Sequence, residues 1–309
     1  MHDWNGVSEA AVDTGDRAPA AVQDTIRTPV GYALPGNAFN VLSQEENMPV
    51  SVPNTLKELF KANKVALGMN VRLGRSGDIA RIAKTTGHDF IFIDAQHSLF
   101  NVETIGHIAQ VALAIGIAPL VRVRSCDDPD TQVLLDNGVT GIVFPDVNNA
   151  AEAKRAVSRA KYPPLGKRSV GGGYPIFDYR PMNMAEAVPA LQDNTLVVCM
   201  IETREGLENV EEISAVEGVD VIHVGSNDLL TALGKPGTFG SAEHLAALDK
   251  VIAAAKKHGK VPGVGGDRNI PRQVDFIRKG AQFITTNSEI AFILAEGSRV
   301  TGELRKALS

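Results

Sequence analysis

The sequence predicts an α/β protein in which eight parallel strands, each followed by a helix, close into a (β/α)8 barrel. From about Asn54 onward, short runs rich in Val, Ile and Phe alternate with stretches that have helical spacing of apolar residues. This alternation repeats about eight times in roughly 255 residues, which is the length that such a barrel requires. An open doubly wound sheet is the alternative, and it is disfavoured because no GxGxxG turn follows the first strand.

The predicted strands lie at residues 65–69, 89–94, 118–123, 141–145, 195–202, 219–225, 261–264 and 283–286. Helices are predicted between them, for example at residues 78–85, 102–114, 150–160, 205–213, 242–258 and 271–278. Residues 1–53 are rich in Ala, Asp, Pro, Gly and Asn and show little periodicity. We therefore predict an N-terminal arm at 1–53, free or docked on a neighbouring subunit, and a barrel domain at 54–309.

Charge and cysteine content exclude several classes of protein. The 309 residues carry a net charge of −5, which does not fit a nucleic-acid-binding protein. No apolar run approaches the roughly 20 residues needed to span a membrane, and the first ten residues do not form a secretory signal. The only two cysteines, Cys126 and Cys199, are too few for a disulfide framework. We expect a cytoplasmic protein that acts on small molecules.

Polar residues occur at the ends of the predicted strands, where barrels of this type carry their active sites. They are Asp94, Gln96 and His97 after the second strand, Arg122 and Arg124 on the third, Glu202 after the fifth, and Ser226, Asn227 and Asp228 after the sixth. Glu202 and Asp228 come from neighbouring strands and suit a hard divalent cation such as Mg²⁺, Mn²⁺ or Co²⁺. The alternative is that each carboxylate caps the helix that follows it.

Arg122 and His97 are candidate catalytic groups. An inward-facing guanidinium needs an anion, which is either a substrate carboxylate or enolate, or a barrel carboxylate such as Asp94. Asp94 lies three residues before His97 and can fix the tautomer of its imidazole, which then acts as a general base. The alternative for His97 is a structural role. The amides of Ser226 and Asn227, at the start of a helix, can bind an anionic carboxylate.

At these residues the sequence resembles the HpcH/HpaI aldolase family, the class II metal-dependent 2-oxo acid aldolases. Its members include 2-oxo-3-deoxy sugar acid aldolases, 4-hydroxy-2-oxo-heptanedioate aldolase and macrophomate synthase. The resemblance covers about residues 54–309 and consists of six motifs in the family's order. They are DAQH at 94–97, VRV around Arg122, LLDNGVTGIVFPDV at 134–147, KYPPLGKRSVGGG at 161–173, MIETREGLENV at 200–210 and VGSNDL at 224–229.

The resemblance implies a TIM-barrel lyase that reversibly cleaves a 4-hydroxy-2-oxo acid to pyruvate and an aldehyde through a metal-stabilised enolate. Glu202 and Asp228 would bind the divalent metal, and Arg122 would contact the pyruvate oxygen and steady the enolate. Ser226 and Asn227 would present backbone amides to the pyruvate carboxylate.

The resemblance also implies an acid/base residue and an oligomer. His97, oriented by Asp94, would transfer the proton. Asp136 corresponds to a carboxylate that reaches the site of a neighbouring subunit. Relatives of this kind are homo-oligomers, usually hexamers, that exchange the last helix between subunits, so a trimer or hexamer is expected.

Two positions depart from the family's pattern where the substrate would be held. Gln96 replaces a usual Glu, and Met200 replaces a frequent Gln. Two alternatives therefore stay open: a related lyase or synthase that acts on oxaloacetate or a CoA thioester, and a catalytically silent barrel that binds a metal–oxoacid complex. A Schiff-base mechanism is disfavoured because the lysines nearest the strands lie at element edges, at Lys64, Lys161, Lys167 and Lys260.

Overall fold

The computed structural model describes residues 52 and 54–309, and in this part of the chain eight parallel strands form one closed barrel. The strands are β1 (Ala66–Val71), β2 (Phe90–Asp94), β3 (Ala118–Arg122), β4 (Gly141–Phe144), β5 (Leu196–Ile201), β6 (Val221–Gly225), β7 (Val261–Gly265) and β8 (Phe283–Ser288). Each strand pairs with the next along the chain, and β8 pairs with β1 to close the barrel. The predicted fold class is therefore confirmed.

Helices connect the strands along the described chain and pack around the barrel. They are α1 (Thr55–Lys61), α2 (Asp78–Thr85), α3 (Val102–Ile115), α4 (Thr131–Asp136), α5 (Ala150–Ala160), α6 (Met184–Asn194), α7 (Arg204–Glu208), α8 (Val210–Ser214), α9 (Ser226–Ala232), α10 (Ala242–Lys257), α11 (Ile270–Lys279) and α12 (Glu289–Leu308). Asn101 begins α3 by accepting a hydrogen bond from the amide of Thr104. The helix predicted at 205–213 is divided into α7 and α8, which meet at Asn209.

Two apolar layers stabilise the barrel. Inside it, alternate strand residues such as Leu120, Val198 and Phe283 pack together, and the rings of Phe90 and Phe283 stack with centroids 4.4 Å apart. A larger layer, which includes Ile91, fills the space between the outer strand faces and the helices. Strands β2, β4, β5 and β6 are buried along their whole length, which is why they appear in the sequence as continuous apolar runs.

A polar network closes the barrel at the end where the strands begin. The buried ammonium of Lys161 donates to the carbonyl oxygens of Thr195 and of Gln192, the latter at 3.1 Å, and lies 3.7 Å from Asp220. Lys57 lies 3.5 Å from the same Asp220 carboxylate. Thr195 directly precedes β5 and Asp220 closely precedes β6, so this network lies opposite the end of the barrel where the strands finish.

The predicted N-terminal arm lies outside the described residues except for Val52, so its docking on a neighbouring subunit stays a prediction. None of the helices in residues 54–309 combines the length and apolar character needed to cross a lipid bilayer.

Candidate active site

The carboxyl ends of the strands surround a polar cavity of about 270 Å³. Every strand except β4 contributes lining residues. The sequence-predicted residues that line it are Asp94, His97, Arg122, Met200, Glu202, Ser226, Asn227 and Asp228. Its volume is close to the lower end of ligand pockets, roughly 300 Å³, and therefore suits a small organic acid.

Arg122 at the end of β3 is paired with Asp94 at the end of β2. Its Nε donates to Oδ1 of Asp94 at 3.1 Å and its Nη2 donates to Oδ2 at 2.8 Å. The third guanidinium nitrogen, Nη1, lies 4.0 Å from Oε1 of Glu202. The bidentate pair fixes the plane of the guanidinium and leaves one nitrogen directed toward Glu202.

Asp94 does not make the contact with the His97 ring that the sequence suggested. Its Oδ1 accepts the backbone amides of Gln96 and His97, each at 3.2 Å, and no hydrogen bond joins its carboxylate to the imidazole within residues 54–309. Burial favours the neutral acid, but hydrogen bonds and charge from Arg122 outweigh it and hold the pKa of Asp94 below its usual value. The strand register places Asp94 beside Arg122, so the side-chain contact observed for Asp94 is with Arg122, and the orientation of His97 by Asp94 stays a prediction.

Glu202 directly follows β5 and is almost completely buried, with 3% of its surface exposed. Its Oε2 accepts the backbone amide of Asp146 at 3.3 Å, whereas its Oε1 has no hydrogen-bond partner. Burial raises the pKa of Glu202 to about 8; the charges of Asp146 and Asp228 add to this effect, and Arg122 opposes it. A buried carboxylate oxygen without a donor is costly unless a cation or proton binds there.

Glu202 and Asp228 line the same cavity and come from the ends of neighbouring strands, β5 and β6. Asp228 lies exposed at the cavity mouth in the first turn of α9, one strand beyond Glu202. A Cβ atom on Gly225 would lie 2.2 Å from Oε1 of Glu202, so only glycine lets this carboxylate lie against β6. Residues 54–309 contain no group of three or more His, Cys, Asp or Glu side chains placed to hold a metal. A divalent ion held by Glu202 and Asp228 would take its other ligands from water and substrate.

Ser226 and Asn227 begin α9 beside the cavity. A Cβ atom on Gly266 would lie 3.2 Å from each of their amide nitrogens, so any larger residue there would cover them. Gly266 has a φ of +93°, which also favours glycine. The hydroxyl of Ser226 is buried without a hydrogen-bond partner. These groups form a polar edge of the cavity.

Three of the residues singled out in the sequence lie outside the cavity. Gln96 does not line it, and the side-chain oxygen of Gln96 is buried without a partner. Asp136 accepts a 2.7 Å hydrogen bond from Arg168. Arg124, expected to share a face with Arg122, instead turns to Asp128, to which its Nε donates at 2.8 Å.

Sequence reasoning missed several lining residues. Arg72 follows β1, Arg268 follows β7, and Ser288 ends β8. His223 on β6 faces the cavity between Phe92 and Phe283, whose ring centroids lie 6.2 and 5.2 Å away. Burial and, to a lesser degree, the charge of Arg122 lower the pKa of His223 to about 3, so this imidazole is neutral. The inward position of His223 follows from strand alternation, which was the available signal.

Comparison with known proteins gives consistent matches. The HpcH/HpaI aldolase/citrate lyase family matches residues 71–293. A 4-hydroxy-4-methyl-2-oxoglutarate aldolase from Hapsidospora irregularis is 38% identical over 221 residues, covering 70% of this chain and 81% of the relative. A 4-hydroxy-2-oxo-heptane-1,7-dioate aldolase from Escherichia coli is 32% identical over 211 residues, covering 68% and 80%. The crystal structure of an HpcH/HpaI aldolase from Desulfitobacterium hafniense has a TM-score of 0.78 and 30% identity, covering 82% of this chain and 97% of that one.

Proposed function

The chain belongs to the HpcH/HpaI aldolase/citrate lyase family, and on that premise we propose that it is a divalent-metal-dependent carbon–carbon lyase. Its substrate is a 4-hydroxy-2-oxo acid, cleaved reversibly to pyruvate and an aldehyde or ketone. The observation that carries the proposal is the unpartnered Oε1 of Glu202, which shares one small cavity with Asp228 and Arg122. The relatives named above, which are aldolases of such acids, support the reaction class.

Glu202 and Asp228 would hold the metal. Both are hard oxygen donors, which suit Mg²⁺, Mn²⁺ or Co²⁺. When bound, the ion would supply Lewis-acid polarisation of the 2-oxo group.

Arg122 would stabilise negative charge on the substrate. Asp94 engages Nε and Nη2, so Nη1 is the nitrogen left to donate to the 2-oxo oxygen. A donor that is already oriented before the reaction stabilises developing charge without reorganisation. The amides of Ser226 and Asn227 would hold the carboxylate of the same acid.

His97 would transfer the proton. Cleavage breaks the bond between C3 and C4: His97 accepts the proton of the 4-hydroxyl, C4 becomes a carbonyl, and the electron pair moves through C3 and C2 to the 2-oxo oxygen. A proton then returns to C3 and completes the methyl group of pyruvate. His97 is exposed at the rim of the cavity, where it can exchange its proton with water.

The exchange of the pyruvate methyl protons with D₂O, followed by NMR, tests this proposal without knowledge of the natural substrate. We expect exchange that requires Mg²⁺, Mn²⁺ or Co²⁺ and that is lost in Glu202→Gln and in Asp228→Asn. Glu208→Gln is the control, because it removes an exposed carboxylate of α7. Metal-independent exchange, or wild-type exchange in both site variants, would refute the assignment. Absence of exchange in the wild-type protein would favour a silent barrel.

We also propose a homo-oligomer, a trimer or hexamer, in which Asp136 lies at a neighbour's site. The last helix, α12, supports this because Ile293, Leu294 and Leu304 on it are 62%, 63% and 60% exposed. Exposed apolar side chains in this number indicate a contact surface. Light scattering of the purified protein should give three or six times the subunit mass, and a stable monomer or dimer would contradict the proposal.

A further inference from the structure

Arg72 lies across the loop that carries His97. It is the first residue after β1, and its side chain reaches the loop that follows β2, at residues 95–101. Its Nη2 donates to the carbonyl oxygen of His97 at 3.3 Å, and its Nε donates to the hydroxyl of Ser98 at 3.4 Å. The same Nε lies 3.3 Å from Oδ2 of Asp94. One guanidinium therefore contacts three residues of a single segment.

The backbone of His97 is held by side chains and not by secondary structure. Its amide donates to Oδ1 of Asp94 at 3.2 Å, and within residues 54–309 its carbonyl oxygen accepts a hydrogen bond from Arg72 alone. β2 ends before His97 and α3 begins five residues after it, at Val102. Asp94 therefore fixes one side of this residue, and Arg72 fixes the other.

The imidazole of His97 depends on this backbone for its position. The side chain is exposed at the rim of the cavity, and its ring makes no hydrogen bond within residues 54–309. A base must lie within hydrogen-bond reach of the proton that it accepts. A displacement of about 1 Å can reduce the rate about 100-fold, so release of the His97 carbonyl should be costly.

Glu289 anchors the other end of this arrangement. It occupies the first turn of α12 and is 5% exposed. Its Oε1 accepts the backbone amides of Arg72, Leu73 and Gly74 at 2.6, 2.5 and 3.2 Å. Three consecutive amides bound to one carboxylate oxygen fix the backbone from which the Arg72 side chain extends. Glu289 does not line the cavity, so the last helix is linked to the loop of His97 only through the residues after β1.

We propose that Arg72, anchored by Glu289, is a positioning residue that holds His97 at the rim of the cavity. The inference rests on the proposed function, because the position of His97 matters to the reaction only if this residue transfers the proton. In this role Arg72 touches no substrate and acts through the backbone of another residue. Substrate binding by Arg72 is the competing interpretation, and the two predict different results when His97 is absent.

Hydrogen exchange followed by mass spectrometry tests the contact without turnover. The peptide of interest covers residues 95–101, in which two amides donate to Asp94. We expect it to exchange about tenfold faster in Arg72→Met and in Glu289→Ala, because the loop opens more readily once one side is released. The increase should be confined to this segment and to the residues after β1. Arg72 is partly exposed, so Arg72→Met decides the test should the buried Glu289→Ala fail to fold.

Two further variants serve as controls for the exchange measurement. Arg81→Met removes an exposed arginine of α2 that makes no hydrogen bond or ion pair within residues 54–309, and its exchange should equal that of wild type. Glu289→Gln keeps an oxygen that can accept the three backbone amides. It should restore most of the protection that Glu289→Ala loses.

Cleavage kinetics distinguish positioning from substrate binding. The substrate is 4-hydroxy-2-oxopentanoate, which has a single carboxylate and therefore offers Arg72 no second one. We expect Arg72→Met to lower kcat about 10- to 100-fold while KM stays nearly constant. In the His97→Ala background the same substitution should lower kcat by less than about twofold, because the group that Arg72 positions is gone. A substrate-binding arginine would instead raise KM equally in both backgrounds.

The outcomes separate the two proposals. Unchanged exchange of residues 95–101 in folded Arg72→Met overturns the inference, and so does an equal effect of this substitution with and without His97. A wild-type protein that neither cleaves the acid nor exchanges pyruvate protons overturns the proposed function. The hydrogen-exchange result then still decides whether Arg72 holds the loop. Circular dichroism verifies that each variant is folded.

Discussion

Arg122 donates two hydrogen bonds to Asp94, and this pairing determines which way the guanidinium faces in the cavity. The two residues are register partners at the ends of β2 and β3, so the barrel itself holds them together. Because two nitrogens of the planar Arg122 guanidinium are bound to Asp94, the group cannot rotate, and its third nitrogen is held near Glu202. We therefore expect Asp94 to act through Arg122, although His97 is its closer neighbour in sequence.

A double-mutant cycle tests which residue Asp94 supports. We expect Asp94→Asn and Arg122→Lys each to lower kcat/KM, with a coupling free energy of about 1 to 3 kcal/mol because they remove the same pair. Asp94→Asn and His97→Ala should instead be additive within about 0.5 kcal/mol. Cleavage kinetics of the single and double variants supply both cycles. Strong coupling to His97 with none to Arg122 would restore the original hypothesis.

Gly225 controls the position of the Glu202 carboxylate. Its backbone angles, φ −91° and ψ 88°, are accessible to alanine, but a Cβ atom would lie 2.2 Å from Oε1 of Glu202. Gly225→Ala should therefore displace the carboxylate and weaken Mn²⁺ binding about 10- to 100-fold. Titration of the metal-free protein with Mn²⁺, followed by electron paramagnetic resonance, measures this affinity.

Gly297→Ala is the control for this substitution. Gly297 lies in α12, and nothing lies within 4 Å of the position that its Cβ would take. Its Mn²⁺ affinity should equal that of wild type. If Gly225→Ala also binds Mn²⁺ normally, Glu202 is not a ligand in the observed position.

The pH dependence of metal binding follows from the burial of Glu202. Burial raises the pKa of this carboxyl group to about 8, so the metal-free protein carries it protonated at neutral pH. A metal must displace that proton, and the apparent affinity for Mn²⁺ should rise about tenfold per pH unit up to pH 8 and then level off. Calorimetry at pH 6, 7 and 8 in buffers of different ionisation enthalpy measures both affinity and proton release.

Glu202 also affects the stability of the metal-free protein. Metal affinity should rise with pH, whereas the stability contribution of Glu202 should fall. Because the folded-state pKa lies above the ordinary value of 4.5, ionisation of Glu202 is harder in the folded state. The free energy of unfolding should fall between about pH 4.5 and pH 8 by at most about 1.4 kcal/mol per pH unit from this group. Urea denaturation should show a flatter profile in Glu202→Gln. Identical profiles in both proteins would contradict the raised pKa.

The alternation of apolar runs was sufficient to predict the barrel, but the strand ends were less accurate. β1 continues to Val71 and β8 to Ser288, two residues beyond each prediction, because their last residues are polar or mixed and resemble a loop. Arg72 was therefore missed. Arg268 was missed because it lies in the loop after β7, where nothing in the sequence distinguishes it from a surface arginine.

The partners of the site residues depend on strand register, which local sequence does not reveal. Asp94 and His97 are three residues apart, whereas Asp94 and Arg122 are 28 apart, yet it is the distant pair that bonds. His223 escaped notice for a related reason. It lies within an apolar run, and it can be assigned to the cavity floor only when the residues of β6 that face the inside of the barrel are known.

Lys161 has a lowered pKa, as expected of a Schiff-base lysine, but it lies at the end of the barrel where the strands begin, opposite the cavity. Burial lowers its pKa, with partial opposition from the charge of Asp220. Its ammonium is held by the carbonyl oxygens of Gln192 and Thr195, which belong to the end of α6 and the residue before β5. Pyruvate in the cavity at the other end of the strands would therefore not reach it.

Lys161→Met separates a structural role from a catalytic one. We expect the free energy of unfolding to fall by about 1 to 3 kcal/mol, since two carbonyl oxygens lose their donor, while metal-dependent exchange of pyruvate protons continues. Borohydride added with pyruvate should leave the mass of the wild-type chain unchanged. Lys167→Met, at an exposed position six residues away, should alter neither stability nor exchange. A reduced pyruvate adduct on Lys161, or loss of exchange in the folded Lys161→Met protein, would instead establish this lysine as the reactive group.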